Sequence, residues 1–325
     1  MRFNHLDLNL LVALDVLLEE QNITRAAERL HMTQSATSGA LGRLRSFFQD
    51  DLLVQVGRKM QPTPYALDLA RPVREVLLTI RSSITTKQTF DPASSRRHFK
   101  LMASDYLITV LFSRVIQKIH ELAPHITFDI SAPNEEGLLA RGDLDLMIAP
   151  DIYMVEGHPS QLLFEEEHVC VIWEGNTLIG EHLSLEQYIE MGHVAVGLGR
   201  SRGLSIEEWL MNQYGFNRRM EVITHDFNTL PQLVIGTQRI ATMHRRLADL
   251  YAQYLPLRIL PPPVRIPPMR EFMAWHRSMD GDPMHRWLRE RVQEFITTVD
   301  RHREVSTRAI PRIPSIDWPN VHTRS

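Results

Sequence analysis

The sequence predicts a winged helix-turn-helix with a long linker helix, followed by a two-lobed α/β domain. Three patterns support this fold: short helices that end in a hairpin, a long apolar stripe, and a later alternation of apolar strands with helices. The predicted boundaries are 1–63 for the winged helix-turn-helix, 64–96 for the linker helix and hinge, 97–300 for the α/β domain, about 168–268 for its second lobe, and 301–325 for a flexible tail.

The composition is that of a globular protein with more than one core. The chain has 325 residues, of which 43% are hydrophobic and 23% are charged. Its net charge of −3 means that any binding to nucleic acid needs a local basic face. Cys170 is the single cysteine, which excludes an intramolecular disulfide and a thiolate metal cluster.

The first 63 residues carry start signals for short helices. Asn22 and Thr33 are suited to cap helices, and the leucines after Leu6 recur every three or four residues. The predicted elements are helices over 6–20, Ile23–Leu30 and Gln34 to about Phe48, and strands over Leu52–Val56 and Met60–Gln61. Small residues at Ala26 and Ala27 allow the second and third helices to cross closely.

The third helix predicts the chemistry of this region. Its first turn carries short polar side chains, which reach base edges when such a helix enters the major groove. Basic residues on the helix and on the hairpin add a local positive field. The predicted DNA contacts are Gln34, Ser35, Thr37, Ser38, Arg43, Arg45, Arg58 and Lys59. The alternative is an ordinary helical domain with solvated charges.

A long helix begins at Pro64 and carries a narrow apolar stripe. The stripe contains Ala66, Leu69, Ala70, Val73, Val76, Leu77, Ile80 and Ile84. Such a stripe is suited to pairing with the same helix of a second copy, and we predict a dimer contact there. The alternative is that the helix packs on its own domain. Residues 85–95 are polar and form a candidate linker.

The rest of the chain has α/β patterning, which predicts a largely parallel sheet. The predicted strands are Phe99–Ala103, Thr127–Ile130, Leu144–Ala149, Val169–Trp173, Val194–Val196, Glu221–Thr224, Ile240–Met243 and Phe272–Trp275, with helices ending near Leu122 and covering Glu135–Arg141, Ile206–Tyr214, Asn228–Gly236 and Pro283–Val299. Prolines at 261–263 and 267–268 mark a crossing segment.

Catalytic and metal-binding motifs are missing from the sequence. It has no HExxH, no Walker loop and no G-x-S-x-G, and its 15 histidines form no tight ligand group. Cys170 falls inside an apolar strand pattern, which favours a structural thiol over a nucleophile. We therefore predict no enzyme activity, no cofactor and no metal. The N-terminus lacks a secretory signal and no apolar run reaches membrane length, so we predict a cytoplasmic protein without membrane contact.

The N-terminal motifs resemble the LysR-type transcriptional regulators. The matching residues are Leu6-Asp7-Leu8-Asn9-Leu10-Leu11, Ala26-Ala27-x-x-Leu30, Thr33-Gln34-Ser35-Ala36-Thr37-Ser38, Leu41-x-x-Leu44, Asp51-Leu52-Leu53 and Pro62-Thr63-Pro64. The family often has proline at the position of Ser35 and a basic residue at Gly39, so contacts of that basic residue do not transfer. The resemblance implies DNA contacts for Gln34, Ser35, Ser38 and Arg58, and an effector domain of two lobes like periplasmic binding proteins.

Within that family the chain is most similar to the branch of nodulation protein D and the naphthalene/salicylate regulators. Segments Leu6–Leu14, Gly42–Arg45 and Gly236–His244 carry this similarity. It implies a small aromatic or phenolic effector bound between the two lobes, mainly activating behaviour, and a homodimer or homotetramer that acts with RNA polymerase.

Ligands of open α/β sheets bind beyond the carboxyl ends of strands. The residues predicted to bind the effector are Ser104, Asp105, Arg200, Arg202, Thr242 and His244. The alternatives are that Ser104 is only a helix cap, that both arginines are solvated, and that His244 only satisfies a strand-end carbonyl. The predicted function is a ligand-responsive regulator that binds double-stranded DNA. The alternatives are a repressor, an effector-independent regulator, or a solute-binding protein or enzyme with an added helical domain.

Overall fold

The computed structural model describes residues 2–3, 6–56, 59–80, 90–133, 137–197, 215 and 218–307. Its first part consists of helices and two antiparallel hairpins. The elements are β1 (Arg2–Phe3), β2 (Leu6–Asp7), α1 (Asn9–Glu20), α2 (Ile23–Arg29), α3 (Gln34–Phe48), β3 (Leu53–Val56), β4 (Lys59–Pro62) and α4 (Pro64–Ile80). The three predicted helices and the predicted hairpin are confirmed, with small shifts at their ends.

The first part closes on one apolar core. Leu14 and Leu17 of α1 are fully buried against Ala26 of α2 and Leu44 of α3. The alanine lets α2 and α3 cross closely, because a larger side chain would hold the helices apart. The turn between them passes through His31, whose φ of 53° is left-handed. This packing fixes the direction in which α3 points.

The second part contains two five-stranded sheets, here called lobe I and lobe II. The strand order in lobe I is β6 (Thr127–Ser131), β5 (His98–Met102), β7 (Leu146–Pro150), β14 (Met269–Ala274) and β8 (Ser160–Glu166). The order in lobe II is β11 (Arg219–Thr224), β10 (Gly192–Val196), β12 (Ile240–His244), β9 (His168–Trp173) and β13 (Leu257–Leu260). Three strands of each sheet are parallel, and the last two join by antiparallel pairing. The sheets are therefore mixed rather than largely parallel.

Helices cover the two sheets. They are α5 (Asp105–Leu107), which continues through a π-helical turn (Ile108–Phe112) into α6 (Ser113–Leu122), then α7 (Leu138–Arg141), α8 (Leu185–Glu190), α9 (Leu230–Val234), α10 (Arg245–Tyr251) and α11 (Pro283–Thr307). The chain passes from lobe I to lobe II after β8 and returns before β14 through the predicted proline segment. None of the described helices is long and apolar enough to cross a membrane.

Several expectations from the sequence need correction. Helix α11 runs to Thr307, so the predicted end at Val299 is wrong. The flexible tail over 301–325 stays a prediction. The sequence-based predictions did not include β8, β13, α8 and α10. The predicted helix over 206–214 and the tail after 307 lie outside the described residues.

Much of the apolar stripe of α4 is covered by the chain itself. Ala66 and Val73 are buried in the N-terminal core, where α4 packs against α1. Leu78, one turn further along, is buried in the core of lobe I. Leu67 and Val76 stay 58% and 46% exposed. The alternative of packing within the chain therefore describes most of the stripe, and the dimer contact stays a prediction.

Candidate DNA interface and effector cleft

The first turn of α3 presents polar side chains to solvent. Thr33 caps the helix, since its hydroxyl oxygen accepts the backbone N–H of Ala36 at 3.2 Å. Gln34, Ser35 and Ser38 are exposed. The cap leaves an ordered helix end whose outward face is free for base edges and phosphates. The assignment of these three residues as DNA contacts stays a prediction.

Thr37 does not lie on that outward face. Its side chain is 0% exposed, and its hydroxyl donates to the Thr33 carbonyl oxygen at 3.1 Å. Helical spacing places it with Leu41 and Leu44 on the face that packs into the core. The expectation of a DNA contact from Thr37 is therefore wrong.

The two arginines further along α3 have different surroundings. Arg43 is exposed on the outward side. Arg45 is half-buried, and its guanidinium donates to the carbonyl oxygens of Asp51 at 2.8 Å and Leu53 at 2.6 Å. Those bonds hold the start of β3 against α3. The structure thus gives Arg45 a structural role at the hairpin, and its DNA contact stays a prediction.

A carboxylate completes the attachment of the hairpin. The side chain of Asp50 accepts the Leu52 N–H and the Thr63 hydroxyl, both at 2.7 Å. The Thr63 oxygen also accepts the Ala66 N–H at the start of α4. The β3–β4 hairpin is consequently fixed to both α3 and α4. Lys59 is exposed on this wing, whereas Arg58 lies outside the described residues.

We expect the substitution Arg45→Met to weaken DNA binding through the wing. Methionine keeps an unbranched stem but removes both hydrogen bonds, each of which contributes about 1.5–3 kcal/mol because the donor is charged. The measurement is a double-mutant cycle with Lys59→Ala on binding of a DNA duplex. If Arg45 only positions the wing, Lys59→Ala costs less in the Arg45→Met background. Strictly additive losses would contradict this role, and Arg43→Met, at an exposed arginine of the same helix, serves as the control.

The two lobes meet at the start of α5. Ser104 is half-exposed and caps α5, since its hydroxyl oxygen accepts the Leu107 N–H at 3.4 Å. The carboxylate of Asp105 accepts the main-chain N–H of Asn228 at 2.9 Å and its side-chain N–H at 2.6 Å. Asp105 therefore bridges from lobe I to lobe II. Sequence reasoning identified the residue but not this partner.

Asn228 is the centre of that bridge. Its amide oxygen accepts the Thr109 hydroxyl at 2.9 Å and the Tyr251 hydroxyl at 3.0 Å. One side chain thus joins α5 and the π-helical turn of lobe I to α10 of lobe II. A ligand that displaced Asn228 would change the spacing of the lobes.

Aromatic rings pack beside this bridge. His244 is buried and stacks on Tyr106 with ring centroids 3.9 Å apart. Phe227 meets the same imidazole edge-on at 4.5 Å. Burial, together with the neighbouring His168, holds the pKa of His244 well below its usual value. His244 therefore lies at the lobe junction as a neutral, packed ring.

Thr242 lies two residues before His244 on β12 and points to the same side of the sheet. Its side chain is buried and its hydroxyl lies 2.8 Å from the Tyr188 hydroxyl and 3.9 Å from the Cys170 sulfur. These contacts belong to a separate core of lobe II, so the expectation that Thr242 meets an effector is wrong. Strand alternation explains this, because Thr242 and His244 share one side and only the end of the strand reaches the junction. Arg200 and Arg202 lie outside the described residues.

Cys170 has the surroundings of a structural thiol. Burial raises its pKa to about 12, so the sulfur stays protonated. The described residues contain no group of three or more potential metal ligands.

Sequence reasoning missed a buried polar cluster at the crossing between the lobes. The Tyr106 hydroxyl donates to the carboxylate of Glu166, which also pairs with the Arg246 guanidinium at 2.8 Å. The other oxygen of Glu166 accepts the Arg246 main-chain N–H at 3.1 Å, at the start of α10. Glu271 is buried nearby, and burial together with Glu166 and Asp151 raises its pKa to about 8. This group, here called the hinge cluster, joins both lobes.

Two family models match the chain. The model of the bacterial regulatory helix-turn-helix protein of the lysR family covers residues 8–67, and the LysR substrate binding domain covers residues 92–296. The chain therefore belongs to the LysR family of DNA-binding transcription regulators, a family of regulators rather than enzymes.

Proteins with similar sequences belong to a narrower group within this family. Nodulation protein D 2 of Rhizobium tropici is 42% identical over 316 residues, covering 97% of this chain and 98% of that protein. Nodulation protein D 1 of Rhizobium meliloti (strain 1021) is 41% identical and covers 92% of this chain and 98% of that protein. The predicted resemblance to the nodulation protein D branch is thereby confirmed.

Solved structures share the fold. A probable transcriptional regulator from Pseudomonas aeruginosa is 27% identical, with a TM-score of 0.60, covering 90% of this chain and 97% of that one. Full-length CbnR complexed with its target DNA is 14% identical, with a TM-score of 0.55, covering 89% and 99%. The arrangement of helix-turn-helix, linker helix and two lobes is thus the LysR fold.

Proposed function

We propose that this regulator reads its DNA site through Gln34, Ser35 and Ser38, with backbone contacts from Arg43 and from the wing residues Arg58 and Lys59. The exposed polar face at the capped start of α3 is the observation that carries this assignment. Gln and Ser side chains bind base edges and phosphates, and arginine and lysine neutralise phosphates.

Replacing Gln34 or Ser38 by alanine is expected to weaken binding to the specific site by about 1–3 kcal/mol, the usual value of a base contact. Binding to unrelated DNA should change little, because phosphate contacts supply that affinity. The measurement is fluorescence anisotropy with a duplex taken from a genome-wide binding selection and with a scrambled duplex. Ser46→Ala, further along the same helix, is the matched control. Equal losses on both duplexes would exclude these residues as base readers.

The effector proposed here is a small aromatic or phenolic molecule bound between the lobes. The rings of Tyr106 and His244 stack at the junction and Phe227 meets His244 edge-on, and aromatic surroundings of this kind favour a further aromatic ring. Ser104 and the Asp105–Asn228 bridge supply polar groups beside them. The high identity to nodulation protein D supports the same branch and mainly activating behaviour. A repressor or an effector-independent regulator is the alternative.

We propose a homodimer or homotetramer working in the cytoplasm, with RNA polymerase as a partner. Two copies reading half-sites one helical turn apart give far more specificity than one. The exposed Leu67 and Val76 on α4 supply apolar surface for a contact between copies. The functional units are 1–63, 64–96 and 97–300, with Arg200 and Arg202 assigned to the effector cleft.

A further inference from the structure

We propose that Arg74 couples the position of lobe I to the DNA-reading helices, as the centre of an ion-pair chain that runs between them. This inference rests on the proposed function, because it assigns the route by which an effector signal reaches α3. Three observations support it: a shared helix, the ion pairs on one of its faces, and a cleft beside them.

Helix α4 belongs to two cores at once. Its first half buries Ala66 and Val73 in the N-terminal core, and its second half buries Leu78 in lobe I. Leu78 fits against Gly142, whose φ of 71° is left-handed and where a Cβ would overlap the leucine side chain. A rigid helix packed into two bodies is one of the elements through which coupling between sites is carried.

One guanidinium connects the three elements that meet here. Arg74 lies 3.0 Å from Asp15 and 3.5 Å from Glu19, both on α1, and 3.5 Å from Asp143 in lobe I. Its side chain is 16% exposed, so solvent screens these pairs less than it screens surface pairs. Glu19 also pairs with Arg29 of α2 at 2.8 Å.

The ion pairs therefore form a continuous chain from lobe I through α4 and α1 to α2, which packs directly on α3. A second link runs beside it, because Glu75 pairs with Arg277 of lobe I at 2.8 Å. The two links start at Arg74 and Glu75, which are adjacent residues of α4.

A cleft separates the two bodies on this side. It has a volume of about 900 Å³ and is lined by residues of α1, α4 and lobe I, including Asp15, Arg74 and Asp143. The ion-pair chain spans this cleft. Partly exposed ion pairs contribute little to stability, so breaking the chain should leave the protein folded.

The test uses the full chain and the double variant Asp143→Asn with Arg277→Gln, which cuts both links on the lobe I side and leaves the contacts of α1 intact. The matched control is Glu294→Gln, which removes an exposed ion pair within α11. Each protein is titrated with the duplex from the genome-wide selection, and amide hydrogen exchange of residues 138–150 is measured with and without that DNA.

In the natural protein, bound DNA should slow exchange in this segment about fivefold, because coupling between two sites is reciprocal. The double variant should bind DNA within about threefold of the natural affinity yet lose the slowing in lobe I. Glu294→Gln should behave like the natural protein, and Asp143→Glu in the Arg277→Gln background should restore part of the effect.

Two results would overturn the inference while leaving the regulator function intact. One is DNA binding by the natural protein with unchanged exchange in lobe I. The other is full slowing in the double variant. Failure to bind any genomic DNA would instead contradict the proposed function, and the titration detects that separately.

Discussion

The substitution Glu166→Ala should destabilise the two-lobed domain by about 3–5 kcal/mol, the usual cost of removing one partner of a buried ion pair. The carboxylate is 1% exposed and accepts hydrogen bonds from Tyr106 and from the main chain of Arg246. Alanine would leave the Arg246 guanidinium, only 11% exposed, beside the Phe164 ring without its carboxylate. It would also remove a negative charge from the start of α10.

Tryptophan fluorescence during urea unfolding measures this loss, because all five tryptophans lie beyond residue 96, at 173, 209, 275, 287 and 318. Glu165→Ala, at an exposed neighbour on the same strand, should stay within about 0.5 kcal/mol. Tyr106→Phe should cost about 1–3 kcal/mol, since it leaves the ion pair in place and removes one buried donor. A Glu166→Ala protein as stable as the Glu165→Ala protein would contradict the assigned role of the hinge cluster.

The second large effect is a pH dependence that originates in Glu271. Its pKa is raised from 4.5 to about 8, mainly by burial and further by the charges of Glu166 and Asp151. Between these values the folded protein holds the proton and the unfolded chain releases it. Stability contributed by this residue is therefore lost as pH rises above about 4.5, and the loss levels off above about 8.

The variant Glu271→Gln imitates the protonated acid at every pH. Its stability relative to the natural protein should rise from about zero near pH 4 to roughly 4 kcal/mol at pH 8, since one proton corresponds to about 1.4 kcal/mol per pH unit between the two pKa values. Urea midpoints across this range measure the difference, with Glu165→Gln as the control. A difference that stays constant with pH would show that Glu271 is ionised in the folded state.

The local elements of the N-terminal part could be predicted because their signals are local. Asn22 and Thr33 both accept the predicted capping hydrogen bonds, and the apolar spacing of α1 matches its buried face. The outward direction of Ser35 and Ser38 follows from the same helical spacing. The burial of Thr37 could have been found in that way too, since it shares a face with Leu41 and Leu44.

The hinge cluster could not be predicted from the sequence, because its consecutive acidic residues have the pattern of a solvent-exposed segment. Glu165, Glu166 and Glu167 follow one another at the end of β8. A shift in register opposite Glu271 and Phe272 places both Leu163 and Phe164 inside, which breaks the alternation and leaves Glu166 buried. A bulge of this kind depends on the partner strand, which lies about a hundred residues away in sequence.

Long-range partners also explain the other differences. Part of the stripe of α4 is covered by α1, and Arg74 contacts Asp15 across a separation of 59 residues. The hydrogen bonds of Arg45 depend on the position of β3 relative to α3. That position cannot be read from the sequence of the helix alone. Periodicity gives the face of an element, whereas tertiary packing decides what covers that face.

We propose that this protein binds a specific DNA site and changes that binding in response to an aromatic ligand. A DNase I footprint of the full chain on the DNA upstream of its own gene tests it most directly, over a range of salt concentrations and with a panel of phenolic compounds. We expect a protected region that contains an interrupted inverted repeat. One of the compounds should shorten this region or remove a hypersensitive site from it. No protection at any salt, on this DNA or on fragments from a genome-wide binding selection, would contradict it.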